Sequence, residues 1–127
     1  MARYRLIWDE GHGAVLFEKS GSWSVEDSRR CIQEIIPLLE QSRARHGVAL
    51  LLMDTTATDG STDYMADAKQ ISSVAFREGD RIAIVVSSSM VKRRLTSIGS
   101  SKLTFGFFLS HSAAETWLFA HQQARQS

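Results

Sequence analysis

The sequence predicts a single α/β domain over residues 1–127, with a mixed, mostly parallel sheet of about five strands packed with about four helices. Three observations predict it. Short β-prone runs alternate with amphipathic stretches of helical period, the pattern of α/β crossovers. Two runs, Val48 to Met53 and Arg81 to Val86, are apolar almost throughout, as strands buried on both faces are. A pair of short strands at the start is divided by a loop with two glycines, which supplies an antiparallel hairpin. The element order is ββαβαβαβα.

The hairpin is read from Tyr4 to Trp8 and Ala14 to Glu18, joined by Asp9-Glu10-Gly11-His12-Gly13. Ser24 then precedes Val25-Glu26-Asp27, so its hydroxyl is placed to cap the Asp27 N–H while the acids meet the positive end of a helix. Val25, Ile32, Ile35, Ile36 and Leu39 give that helix its apolar face, Pro37 predicts a kink, and Gly47 after Arg43, Arg45 and His46 predicts its end. Val48 to Met53 follows as the central strand. After the polar run Asp54 to Asp63, read as a loop, Met65, Ala68, Ile71, Ser72 and Ala75 trace a second helix. The strand Arg81 to Val86 leads through Ser87-Ser88-Ser89 into a third helix with Val91, Leu95 and Ile98 on one face. A strand from Leu103 to Leu109 precedes the last helix. Its cap is read at Ser112, with Ser112-Ala113-Ala114-Glu115 as the capping box and Ala114, Trp117, Leu118 and His121 on one side.

Composition excludes several classes of function. The chain is 43% hydrophobic and 23% charged, with one proline, so it packs a core and is not a disordered chain. Fifteen Lys and Arg against fourteen Asp and Glu leave +1, too weak a field for general binding to nucleic acid or an anionic membrane. No apolar run approaches the roughly 20 residues of a membrane-spanning helix, and the N-terminal run is too short for a signal peptide. With the lone Cys31 unable to form an internal disulfide, a cytoplasmic protein is expected.

Four stretches carry a resemblance: Ser20-Gly21 before the first helix, Leu50-Leu51-Leu52-Met53-Asp54, Arg81-Ile82-Ala83-Ile84-Val85-Val86, and Ala113-Ala114-Glu115-Thr116-Trp117-Leu118. In this order and spacing they resemble the STAS-like (SpoIIAA-like) superfamily, across nearly the whole chain. Its best-known members are anti-sigma-factor antagonists, and its fold is akin to CRAL-TRIO lipid-transfer domains. The resemblance implies a small regulatory or binding domain, often bacterial. In one branch a serine of an Asp-Ser-Ser-Gly turn is phosphorylated to switch partner binding. That turn is absent here. Gly60-Ser61-Thr62-Asp63 stands in its place, with Ser61 the nearest counterpart and Thr62 the next. The closer likeness is to an uncharacterised bacterial branch that ends in an alanine-x-x-tryptophan-leucine helix.

Candidate chemistry lies beyond the carboxyl ends of the parallel strands, where ligands of open α/β sheets sit. If the strands ending at Met53 and Val86 are parallel neighbours, Asp54, Thr55 and Thr56 flank Ser87, Ser88 and Ser89, with Asp59, Ser61 and Thr62 in the adjoining loop. Lys92 and Arg93 on the third helix extend this surface toward an anionic ligand or acidic partner. The simpler reading is that the hydroxyls cap helices, that Asp54 bonds its own loop, and that Lys92-Arg93-Arg94 is a solvated face. Asp54 as a receiver-type phosphoacceptor lacks the acidic pair that would hold Mg²⁺, since Phe17-Glu18-Lys19 supplies one acid. His12, His46, His111 and His121 are scattered without ligand spacing, and no nucleophile-elbow or nucleotide-binding motif is present, so neither a metal nor a cofactor is expected. Trp23 either closes the core edge or anchors a partner, and Phe108 is placed to edge a pocket. The leading expectation is a non-enzymatic module that recognises a protein partner or small ligand through the Asp54–Asp63 loop and the third helix. The rivals are a lipid or small-molecule pocket, an enzyme using Asp54 with the loop hydroxyls, and a self-associating homodimer.

Overall fold

The computed structural model describes residues 3–58, 76–87 and 104–126. They form five strands, β1 (Arg3–Asp9), β2 (Ala14–Gly21), β3 (Leu50–Thr58), β4 (Arg81–Val85) and β5 (Thr104–Phe108), and two helices, α1 (Val25–His46) and α2 (His111–Gln126). The second and third helices read from the sequence fall outside the described residues.

The strands lie in the order β1-β2-β3-β4-β5. β1 and β2 are the antiparallel hairpin, and every later neighbour is parallel, so the sheet is mixed as expected. Met53 stands in register with Ile84 and Asp54 with Val85, which makes the two apolar strands side-by-side neighbours running the same way. Their side chains alternate between two cores. Val15, Phe17, Leu51, Met53, Ile82 and Ile84 face α1, meeting Cys31, Ile35 and Leu39. Leu50, Leu52, Ala83 and Val85 face α2, meeting Ala114 and Leu118. No helix among the described residues is long and apolar enough to cross a membrane.

Helix α1 starts and stops where its sequence places the signals. The Ser24 hydroxyl accepts the Asp27 N–H at 3.2 Å and the Asp27 carboxylate accepts the Ser24 N–H at 3.0 Å, a reciprocal capping box. Gly47 ends the helix in the left-handed region and donates to the Arg43 carbonyl. The helix continues through Pro37 without a break. Pro37 and Gln33 are both exposed, so water reaches the carbonyl that proline leaves without a donor. The Ser24 bonds hold the Asp27 carboxyl below the usual carboxylate range. A lowered folded value means that the cap's contribution is present above the ordinary carboxylate range and lost as pH falls through the folded value. Ser24→Ala is expected to cost about 0.5–2 kcal/mol near neutral pH and less in acid, measured by urea unfolding across pH.

Two expectations are corrected at the second helix end. The last strand stops at Phe108, and Leu109 stands outside it, 53% exposed. The cap of α2 is Ser110, two residues before Ser112: its hydroxyl accepts the Ala113 N–H at 3.2 Å. The earlier serine captures the cap, which leaves Glu115 free to pair with His111 across one helical turn at 3.0 Å. Phe108 packs on Trp117 with ring centroids 5.5 Å apart, in the core beneath α2. Gly106 makes room for that pair, since a Cβ there would meet the Phe108 ring at 2.6 Å.

The amino ends of the strands are tied by polar groups. Buried Ser42 donates to the Gly13 carbonyl at 2.7 Å and accepts the Leu50 N–H at 3.0 Å, joining hairpin, α1 and β3. Gly13 has φ 64°, and a side chain there would strike Arg45 and His46. Asp80, 1% exposed, accepts from Arg43, from the Ala49 N–H and from the Arg77 N–H. Arg81 lies 4.1 Å over the Trp117 ring and donates to the Trp117 carbonyl, and burial lowers its pKa below the ordinary value. With this end closed, the opposite rim is the place for a site.

Candidate functional site

The carboxyl ends of β2 and β3 and the beginning of β1 meet at one rim because β1 runs antiparallel to both. The sequence places Asp54, Thr55 and Thr56 in a loop. The structure instead carries β3 on to Thr58, pairing Ser20 with Ala57 and Gly21 with Thr58 after β4 has ended. β2 supplies the partner that the polar run needs, and β-branched threonines suit a strand. Between the Glu18–Asp54 and Ser20–Ala57 pairs the register shifts by one, so Thr55 and Thr56 together stand opposite Lys19. This is a β-bulge, a device that re-aims side chains at the edges of sites.

The bulge sorts the predicted residues. Asp54 Oδ1 accepts the Thr56 N–H at 2.9 Å and the Thr56 hydroxyl at 2.6 Å, holding the interrupted ladder closed. Thr55 is buried, and its hydroxyl donates to the Val85 carbonyl at 2.8 Å, tying β3 to the end of β4. Asp54 and Thr56 remain at the surface, while Thr55 is structural. Ser87 is exposed just beyond β4, on the same rim as Asp54. The structure therefore brings Asp54, Thr56 and Ser87 to one end of the sheet, as parallel neighbours require. Asp59, Ser61, Thr62, Ser88, Ser89, Lys92 and Arg93 lie outside the described residues.

Asp54 and Thr56 line an open groove of about 220 Å³, together with Arg3, Arg5, Glu18 and Ser20. The hairpin half of this lining was missed in the sequence. Its signal was present: Arg3 and Arg5 alternate with Tyr4 and Leu6, which puts both guanidinium groups on one face of a strand. Pairing then sets Arg5 in register with Glu18 and Glu18 with Asp54, so a cation and two carboxylates follow one another across three strands. Lys19 turns to the other face, where it is buried with its ammonium 4.8 Å from the Trp23 ring centroid. Trp23 closes the core edge, 6% exposed, with its indole N–H on the Ser20 carbonyl. Tyr4 borders the groove and donates to the Glu34 carboxylate, a hydrogen bond that, with burial, pushes its phenol up to about 12. Tyr4 is thus a donor committed to α1.

With this geometry, comparison with known proteins reaches the fold. A solved structure of an uncharacterised DUF3478-family protein from Shewanella loihica PV-4, described as having a SpoIIAA-like fold, superposes with a TM-score of 0.56. The alignment covers 92% of this chain and 93% of that one at 21% identity. The fold is SpoIIAA-like. No protein-family model matches the sequence, and no curated protein matches it. In this SpoIIAA-like sheet, the rim groove faces the same side as α2, beside the part of the sheet that α2 covers.

Proposed function

We propose that this protein is a non-enzymatic recognition module of the cytoplasm that docks a protein partner on the rim of β1, β2 and β3. The observation that supports it most is the groove itself. At about 220 Å³ and open to solvent, it is smaller and less enclosed than the roughly 300–1,000 Å³ clefts that bury small ligands. Its Arg3, Arg5, Glu18 and Asp54 side chains offer both signs of charge, which suits the polar contacts of a partner's surface and fixes their register. Asp54 spends one oxygen on Thr56, a positioning role at the bulge that favours recognition over acid–base work. The exposed Ser87 extends the surface past β4. The buried lone Cys31 suits a reducing compartment.

Photo-cross-linking tests this reading. A photoreactive side chain at Thr56 should capture a distinct protein in cells, and one at Gln41, exposed on α1 toward the other end of the molecule, should not. Glu18→Lys should abolish the Thr56 adduct while circular dichroism stays unchanged. Equal capture from both positions, or capture indifferent to the substitution, would remove the rim from the account.

A further inference from the structure

The outer edge of β1 carries a second surface. β1 ends the strand order, and among the described residues no strand pairs with its far side. Edge strands are blunted by proline, bulges, short length or charged side chains. β1 has no proline or bulge, and its seven residues, Arg3 to Asp9, pair with β2 in unbroken register; its edge charges, Arg3, Arg5 and Asp9, are of both signs. It also exposes an aromatic, Tyr4, at 41%.

We propose that this edge pairs with the same edge of a second copy, joining two sheets into one of ten strands. The pairing is antiparallel about a two-fold axis perpendicular to the sheet, because that axis alone sets identical edges side by side while keeping each face continuous. Residues on one face of β1 then meet residues on the same face of the other, so paired residue numbers have an even sum. A sum of twelve uses the whole strand. It sets Arg3 opposite Asp9 of the second copy, Tyr4 opposite Trp8, Arg5 opposite Ile7, and Leu6 opposite itself. The one directly opposite charge pair, Arg3 with Asp9, occurs twice by symmetry and is of opposite sign. Arg5 lies diagonal both to the same Asp9, which also holds His12 of its own hairpin at 2.8 Å, and to Arg5 of the second copy, and Tyr4 is covered by an aromatic partner. A sum of ten stacks Arg5 on Arg5 at the axis. A sum of fourteen leaves Arg3 and Tyr4 without strand partners. The charge pattern of Arg3-Tyr4-Arg5-Leu6-Ile7-Trp8-Asp9 is therefore complementary to its own reversal, which identifies a second copy as the occupant. This pairing rests on the β1 edge and not on the rim's partner, although Arg3 and Arg5 border both surfaces.

Sedimentation equilibrium of the full chain should give twice the 14.2 kDa of one copy. Arg3→Glu, at an exposed strand start, sets like charges opposite each other and should raise the dimer dissociation constant at least about tenfold with the fold intact by circular dichroism. Leu6→Cys is the register test: directly opposite residues lie about 4.5–5.5 Å apart, within disulfide reach, so mild oxidation should yield a covalent dimer. Arg5→Cys should not cross-link, and native Cys31 is buried. A monomeric wild type overturns the proposal. So does a dimer that survives Arg3→Glu and fails to cross-link at Leu6→Cys.

Discussion

Asp80→Ala is expected to cost the fold about 3–5 kcal/mol, the range for breaking a buried ion pair by removing one partner. Asp80 is 1% exposed and its Oδ2 lies 2.6 Å from Arg43 Nη2, with Oδ1 3.3 Å from Arg43 Nε. The same two oxygens accept the Ala49 and Arg77 N–H groups, each at 2.9 Å. Alanine strands all of these donors at once. Arg43 keeps Glu40 at 2.9 Å, but that carboxylate is half exposed and also serves Arg77. Because Asp80 joins α1 to the starts of β3 and β4, the loss spreads over three elements. Against a total stability of about 5–15 kcal/mol for a small domain, the urea midpoint should fall by about a fifth or more. Asp80→Asn keeps an acceptor and should recover part of the loss. A midpoint unchanged by alanine would mean that the clip is ornamental.

Leu51→Ala and Leu52→Ala are each expected to cost about 2–5 kcal/mol. The pair matters more than either value. Leu51 is 0% and Leu52 1% exposed, and they point to opposite cores, one under α1 and one under α2. In a sheet with one wet face, successive residues of a strand alternate between costly and nearly neutral substitution. Here both should be costly. One neutral member would show that one helix does not cover β3.

This double burial was legible in the sequence because an unbroken apolar run leaves no face for water; that β3 and β4 are neighbours was a condition of the site reading, and the strand pairing meets it. The caps at Ser24 and Gly47 were legible because capping is local: a hydroxyl and its N–H lie three residues apart. The end of β3 was not. Asp54-Thr55-Thr56 reads as a loop by polarity, and only pairing with β2, far away in sequence, makes it strand. The α2 cap was misplaced because Ser110 and Ser112 are equivalent in composition and differ in which one the last strand delivers to the helix start. For the site, the rim was found and half its lining was not. Asp54, Thr56 and Ser87 follow from strand order, whereas Arg3, Arg5 and Glu18 reach the groove through antiparallel pairing and a bulge in β3, neither of which is written in the loop residues themselves.

Amide hydrogen exchange on the protein alone and in complex with the protein captured through Thr56 tests the recognition surface most directly. Added protection should fall at residues 3–5, 18–20 and 54–57, the three strand segments that border the groove. Protection confined to the exposed sides of α1 or α2, with those segments exchanging as in the free protein, would contradict it.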